Sequence, residues 1–149
     1  NVMPAACRER VERIAHEVKA KSKGEIVVVT LPSLERRPIE EWGLRIGRGW
    51  RVGFAGASDD PRRNTGVIVL VAPTERRSRI ELGYGAEAFI SDSLAGRVLD
   101  DQMIPSFVKR KFGTGILRAV NALALEFARR FEFDLESAAT QCAGRTPRR

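Results

Sequence analysis

Histidine and tyrosine are almost missing from this 149-residue chain, which has one of each, His16 and Tyr84. A lone histidine on a charged helix face is expected at the surface rather than as a general acid or base. The two cysteines, Cys7 and Cys142, lie near opposite ends and form no CxxC pair. Two isolated cysteines are expected as free thiols, with a disulfide between the ends as the alternative, and this leaves the redox compartment open. No apolar run approaches the roughly 20 residues needed to span a bilayer, so no transmembrane segment is expected in this chain. Neither an internal repeat nor a second domain is visible. The first residue is Asn1, which fits an excised domain or a mature form whose leader or anchor lies elsewhere.

Catalytic signatures are also scarce. No residue announces itself as a nucleophile. Cys7 and Arg13 have the cysteine, five residues, arginine spacing of thiol phosphatases, but the intervening RERVE lacks glycine and reads as helix, so no phosphate cradle forms. Gly83, Gly85 and Ala88 imitate a dinucleotide fingerprint after a strand, yet the segment before Ser91 and Asp92 is too short for the phosphate-facing helix.

Charge is plentiful and lopsided. The formal net charge is +7, with 21 arginines and 5 lysines. Such a surplus suits a nucleic acid, an anionic membrane surface or acidic substrates. The basic residues are interleaved with acids and lack stacking aromatics, which argues against nucleic acid. At 43% hydrophobic and 30% charged residues the composition is that of a globular domain able to bury a core.

The organising stretch runs over residues 65–92. It opens with the apolar run Val67 to Ala72, rich in β-branched residues and too short for an ordinary helix, which predicts a buried strand. After a turn at Glu75-Arg76-Arg77, polar and apolar residues alternate over 78–82, as in an antiparallel partner. Gly83-Tyr84-Gly85 then sets two backbone-permissive residues around an aromatic, followed by Glu87 and by Asp92, which is placed to cap a helix.

Before this stretch, apolar residues at three- and four-residue spacing predict a helix over about 4–21, stopped by Gly24. A second buried strand follows over 25–31, and Pro38 can open a helix through Trp42 and Ile46. Trp42 and Trp50 are expected against the sheet. Residues 52–65, with glycines, Pro61 and the pair Asp59-Asp60, predict a functional loop. Beyond the hairpin, a helix is expected over 92–104, halted by Pro105, and a long core helix from Ile116 to Phe131. Parallel first strands joined through a helix, plus an antiparallel third, predict an α/β fold. Its form is a single-domain α/β/α sandwich, a small mixed sheet covered by helices on both faces. The domain is expected over 1–135, with 136–149 as a loose basic tail.

The motifs EIVVV, GRGWRVG, GVIVLVAP, RIELGYGAE, ISD, RVLDDQMIP and FGTGI, in this order, resemble the TPM domain family. That family includes plant thylakoid-lumen proteins and bacterial exported or membrane-anchored proteins. The resemblance covers about three quarters of the chain. It implies an extracytoplasmic or membrane-associated setting and a role as a binding or scaffolding domain for a protein partner or membrane protein complex. It equally implies a second reading, a metal-assisted acid phosphatase that hydrolyses phosphomonoesters. A divalent cation, calcium or magnesium, accompanies both. The pattern departs where the family has aspartate-asparagine-glycine and this chain has Asn64-Thr65-Gly66, which removes one acidic ligand.

On that resemblance the candidate metal ligands are Asn64, Glu87, Asp92 and Asp101, with Asp59 and Asp60 as further loop ligands and Gly83, Tyr84 and Gly85 as pocket. Hard oxygen donors of this kind suit calcium, which takes six to eight oxygens. The plainer reading stands beside it. Asp92 then only caps its helix, Glu87 pairs with an arginine such as Arg79, Asp101 lies on a solvated face, and Tyr84 is a packing residue. A third reading gives the arginines an anionic surface to bind.

Overall fold

A computed structural model describes residues 3–49, 55–56 and 59–143. Helix α1 (Ala5–Ser22) buries Cys7, Val11, Ile14 and Val18 along one face, and Lys23 ends it in a left-handed conformation at φ 61° just before Gly24. Strand β1 (Glu25–Thr30) follows, and helix α2 (Ile39–Gly49) starts directly after Pro38 with Glu40 and Glu41 in its first turn, where carboxylates favour the positive helix end. Strands β2 (Gly66–Ala72) and β3 (Arg77–Leu82) complete a three-stranded sheet in the order β1-β2-β3. As expected, β1 runs parallel to β2 and β3 antiparallel to it.

Every residue of β2 is buried, because the strand is central and both its faces are covered. Alternation decides which cover each residue meets. Val67, Val69 and Val71 join the larger core with α1 and with α5 (Phe112–Arg130), while Ile68, Leu70 and Ala72 face α2 in a smaller cluster. Trp42 packs on that smaller cluster and donates its indole N–H to Leu34 O at 2.8 Å. Trp50 lies outside the described residues, as does part of the 52–65 loop.

Three local expectations are revised. The helix predicted to stop at Pro105 instead continues. Helix α3 (Asp92–Arg97) widens into a π-helical segment (Val98–Met103) that leads into α4 (Ile104–Val108). The Ile104 N–H reaches Leu99 O, a five-residue step. Pro105 thereby falls in the first turn of α4, where its missing N–H costs little. Second, Ser91 rather than Asp92 caps α3, its hydroxyl accepting from Leu94 N at 3.0 Å, and Asp92 is the first helical residue.

The third concerns the chain's end. Cys7 and Cys142 are joined in a disulfide, so neither is a free thiol. The segment leading to Cys142 is tied down as well. Glu17 accepts hydrogen bonds from Glu136 N, Ser137 N and the Ser137 hydroxyl, Asn121 Oδ1 accepts from Ala139 N at 2.9 Å, and Arg10 donates to Gln141 O at 2.8 Å. These partners lie more than a hundred residues apart in several cases, so no local periodicity could announce them. Residues 144–149 lie outside the described ones.

Candidate functional site

Strand β2 starts and β3 ends at the same end of the sheet, and the turn after β3 folds back over it. Gly83 N donates to Gly66 O at 2.7 Å and Gly85 N to Asn64 O at 3.0 Å. The fit is close enough that a Cβ on Gly83 would meet Asn64 O, and one on Gly85 would meet Arg63 O. Gly85 itself has φ −69°, so what demands glycine there is the approach of two backbones rather than an unusual dihedral. Asn64 does adopt the left-handed region, at φ 55°, where asparagine is tolerated better than most residues.

Between this turn and α2 lies a cleft of about 430 Å³, lined by Leu44 and Arg48 on one side and by Asn64, Glu81, Tyr84 and Glu87 on the other. Tyr84 stands on its rim, 86% exposed. Helix α2 can lie close to β3 because Gly43 presents no side chain: a Cβ there would come within 2.7 Å of Glu81 Oε2.

The structure gathers four of the sequence-predicted residues, Asn64, Gly83, Tyr84 and Glu87, on this one cleft. Gly85 holds the turn beneath it. Asp92 and Asp101 are exposed on α3 and on the π-helical segment, and neither lines the cleft. Asp59 is exposed in the loop. Asp60 is held by Arg62, which grips both its oxygens at 3.0 and 2.8 Å. These bonds, with a further one from Arg62 N, keep the Asp60 carboxyl down at about 2. The expected partner of Glu87 is taken elsewhere: Arg79 Nε bonds Glu81 Oε2 at 2.9 Å. Among the described residues Glu87 makes no ion pair, and no three histidine, cysteine, aspartate or glutamate side chains come together as a metal cluster.

Sequence reasoning missed Arg48, Leu44 and Glu81. The readable signal was Gly43 and Gly47, one helical turn apart on α2, which mark the face that approaches the sheet. Glu81 carried a weaker one, as a polar residue alternating into the α2 side of β3.

Chemically, the described residues of the cleft offer one arginine, two carboxylates of which one is already paired, an amide and a phenol. Among the described residues no serine, threonine, cysteine or histidine side chain lines it. His16 is exposed on α1, away from the cleft. No described helix is long and apolar enough to cross a membrane.

Known proteins sharpen the picture. No curated protein sequence matches the chain. The N-terminal domain of a protein from P. gingivalis, solved by NMR, superposes with a TM-score of 0.78 at 28% identity, over 89% of this chain and 81% of that one. BA42 from the psychrophilic bacterium Bizionia argentinensis gives 0.67 at 15% identity, over 87% and 83%. The N-terminal domain of the cg2496 protein from Corynebacterium glutamicum gives 0.60 at 17%, over 92% and 76%. The last two show the shared fold alone. The family model of the TPM domain matches residues 1–126. With the whole sheet, the glycine turn and the cleft inside that match, this chain belongs to the TPM domain family.

Proposed function

We propose that the chain is a binding domain that receives a protein partner in the cleft between α2 and the Gly83–Glu87 turn, in an extracytoplasmic or membrane-associated setting. The observation that carries this reading is Tyr84. A single tyrosine, 86% exposed, is mounted on a backbone pinned by two hydrogen bonds at the rim of a concave site. Tyrosine side chains supply large contact area with little loss of conformational freedom, and tyrosine is enriched among the residues that dominate binding energy. The Cys7–Cys142 disulfide supports an oxidising compartment, where such bonds persist.

Among the described residues a divalent cation finds one carboxylate and one amide oxygen in the cleft that are not already engaged, on Glu87 and Asn64. Calcium needs six to eight oxygens, so these residues alone do not build its site, and a partner carboxylate or water would have to complete it. The metal-assisted phosphatase is the second reading. Arg48 on the cleft wall favours it, since a guanidinium suits a phosphoryl group, but among the described residues the lining provides no nucleophile.

A photo-crosslinking residue at Leu44, on the cleft, and another at the exposed Leu125 on α5 separate the outcomes in cell envelopes. Binding in the cleft gives a discrete adduct from position 44 that disappears in Tyr84→Ala, and none from position 125. Hydrolysis of a generic phosphomonoester that is lost in Glu87→Ala would transfer the site to the enzyme reading. For the cation, excess calcium or magnesium at about 100 times its dissociation constant would add about 2.7 kcal/mol to stability. That gain should vanish in Glu87→Gln.

A further inference from the structure

The opposite end of the sheet, about 20 Å from the cleft along β2, carries a different surface. There the β2–β3 turn and the α4–α5 turn stand side by side around a groove of about 630 Å³. Its apolar lining is formed by Pro73, Ile104, Phe107, Val108 and Phe112, the two rings meeting edge to face with centroids 5.0 Å apart. Arg76, Arg77 and Arg110 form its rim. Lys109 and Lys111, both exposed, flank Arg110. No acidic side chain lines the groove. Glu75 sits in the same hairpin turn, but its carboxylate is drawn toward Leu34 N, at 2.6 Å. Among the described residues none of the five cations makes an ion pair, which they share with several arginines elsewhere; what sets them apart is their grouping around one apolar groove.

Above the groove projects α4, a helix with no buried residue. Val108 is 79% exposed and Ile104 39%, and their four-residue spacing puts both on one face. Aliphatic side chains that protrude inside a ring of unpaired cations need a counterpart that is apolar at depth and anionic at its surface. An anionic bilayer has that layering: acidic headgroups outside and acyl chains a few ångströms further in. A soluble acidic peptide could satisfy the cations, but it would leave Val108 with nothing to enter.

We propose that this end of the molecule docks on an anionic membrane surface. Val108 and Ile104 enter the boundary between headgroups and acyl chains, and Arg76, Arg77, Lys109, Arg110 and Lys111 meet the lipid phosphates. The Gly83–Glu87 cleft, at the far end of the same strands, then points away from the bilayer. This docking does not depend on what the cleft binds.

Co-sedimentation of the intact chain with vesicles tests it. Vesicles of phosphatidylcholine alone should leave the protein in solution, and vesicles with a phosphatidylglycerol fraction should bring it down. Binding should weaken as salt shortens the screening length. The double variant Arg76→Glu/Arg110→Glu should lower partitioning at least about tenfold, and Val108→Asp, changed at an exposed position, should lower it while circular dichroism stays unchanged. The pair Arg129→Glu/Arg130→Glu, at the other end of α5, removes the same charge and should bind as the parent does. Equal loss in that control pair would show attraction by net charge alone and overturn the docking surface. So would failure to bind phosphatidylglycerol vesicles. An acidic peptide that shifts the amide resonance of Arg110 while vesicles do not bind would make the surface a peptide groove and end the lipid proposal. In each of these failures the Leu44 crosslink is unaffected, so the cleft reading stands or falls separately.

Discussion

Glu17 illustrates how much one side chain can hold in this domain. Partial burial works against its charge, but Lys21 Nζ at 2.7 Å, the Ser137 hydroxyl and the N–H groups of Glu136 and Ser137 outweigh that cost and hold its carboxyl down from 4.5 to about 2. The folded state therefore binds fewer protons here than the unfolded one. The stabilisation is complete above pH 4.5 and is lost as pH falls through about 2. Urea midpoints measured across that window should drop more steeply for the parent than for Glu17→Gln, and parallel profiles would refute this role. Gly85 makes a different prediction. Adding a Cβ against Arg63 O forces the two backbones apart, so Gly85→Ala should cost about 1–3 kcal/mol in denaturant unfolding. At this scale the sequence was only partly legible. The glycine pair, Asn64 and Glu87 were visible as a group, because all but Asn64 lie within five residues of one another. The Asp60–Arg62 pairing, the Arg79–Glu81 pairing and the cap at Ser91 depend on rotamers and on which neighbour reaches first, and spacing alone does not decide those.

Among the elements, the strands were the most legible. Val67 to Ala72 could hardly be anything but a buried strand, and the residues that alternate after it could hardly avoid pairing with it. Pro105 misled because the rule that proline ends a helix presumes four-residue hydrogen bonding on either side. The five-residue turn at Val98–Met103 relaxes that rule. The segment 136–142 misled because it has no periodicity of its own and is ordered entirely by distant partners. Its strongest tie closes a loop with a sequence separation of 135 residues. Removing it in Cys7→Ala/Cys142→Ala should lower unfolding free energy by about 2–4 kcal/mol. Limited proteolysis should then cut first between Leu135 and Cys142. If the parent is cut there equally fast, the Glu17 and Asn121 contacts are not holding the segment.

For the whole molecule, the order of elements was enough to give the mixed sheet and its two helical covers, since a parallel pair joined through a helix leaves few arrangements. The distribution of charge was not legible in the same way. A net charge of +7 says nothing about which basic residues find acids, and only the folded chain brings three arginines and two lysines without an ion pair together around α4. The disulfide carries a mechanical consequence. Cys7 and Cys142 have their Cα atoms 4.4 Å apart, so a pull applied outside the two cysteines passes through one covalent bridge and bypasses everything between them. Under tension the oxidised domain behaves as a short inextensible link, its sheet and cleft unloaded. Once reduced, the same pull would run through α1 and α5 and draw out a chain segment of 135 residues.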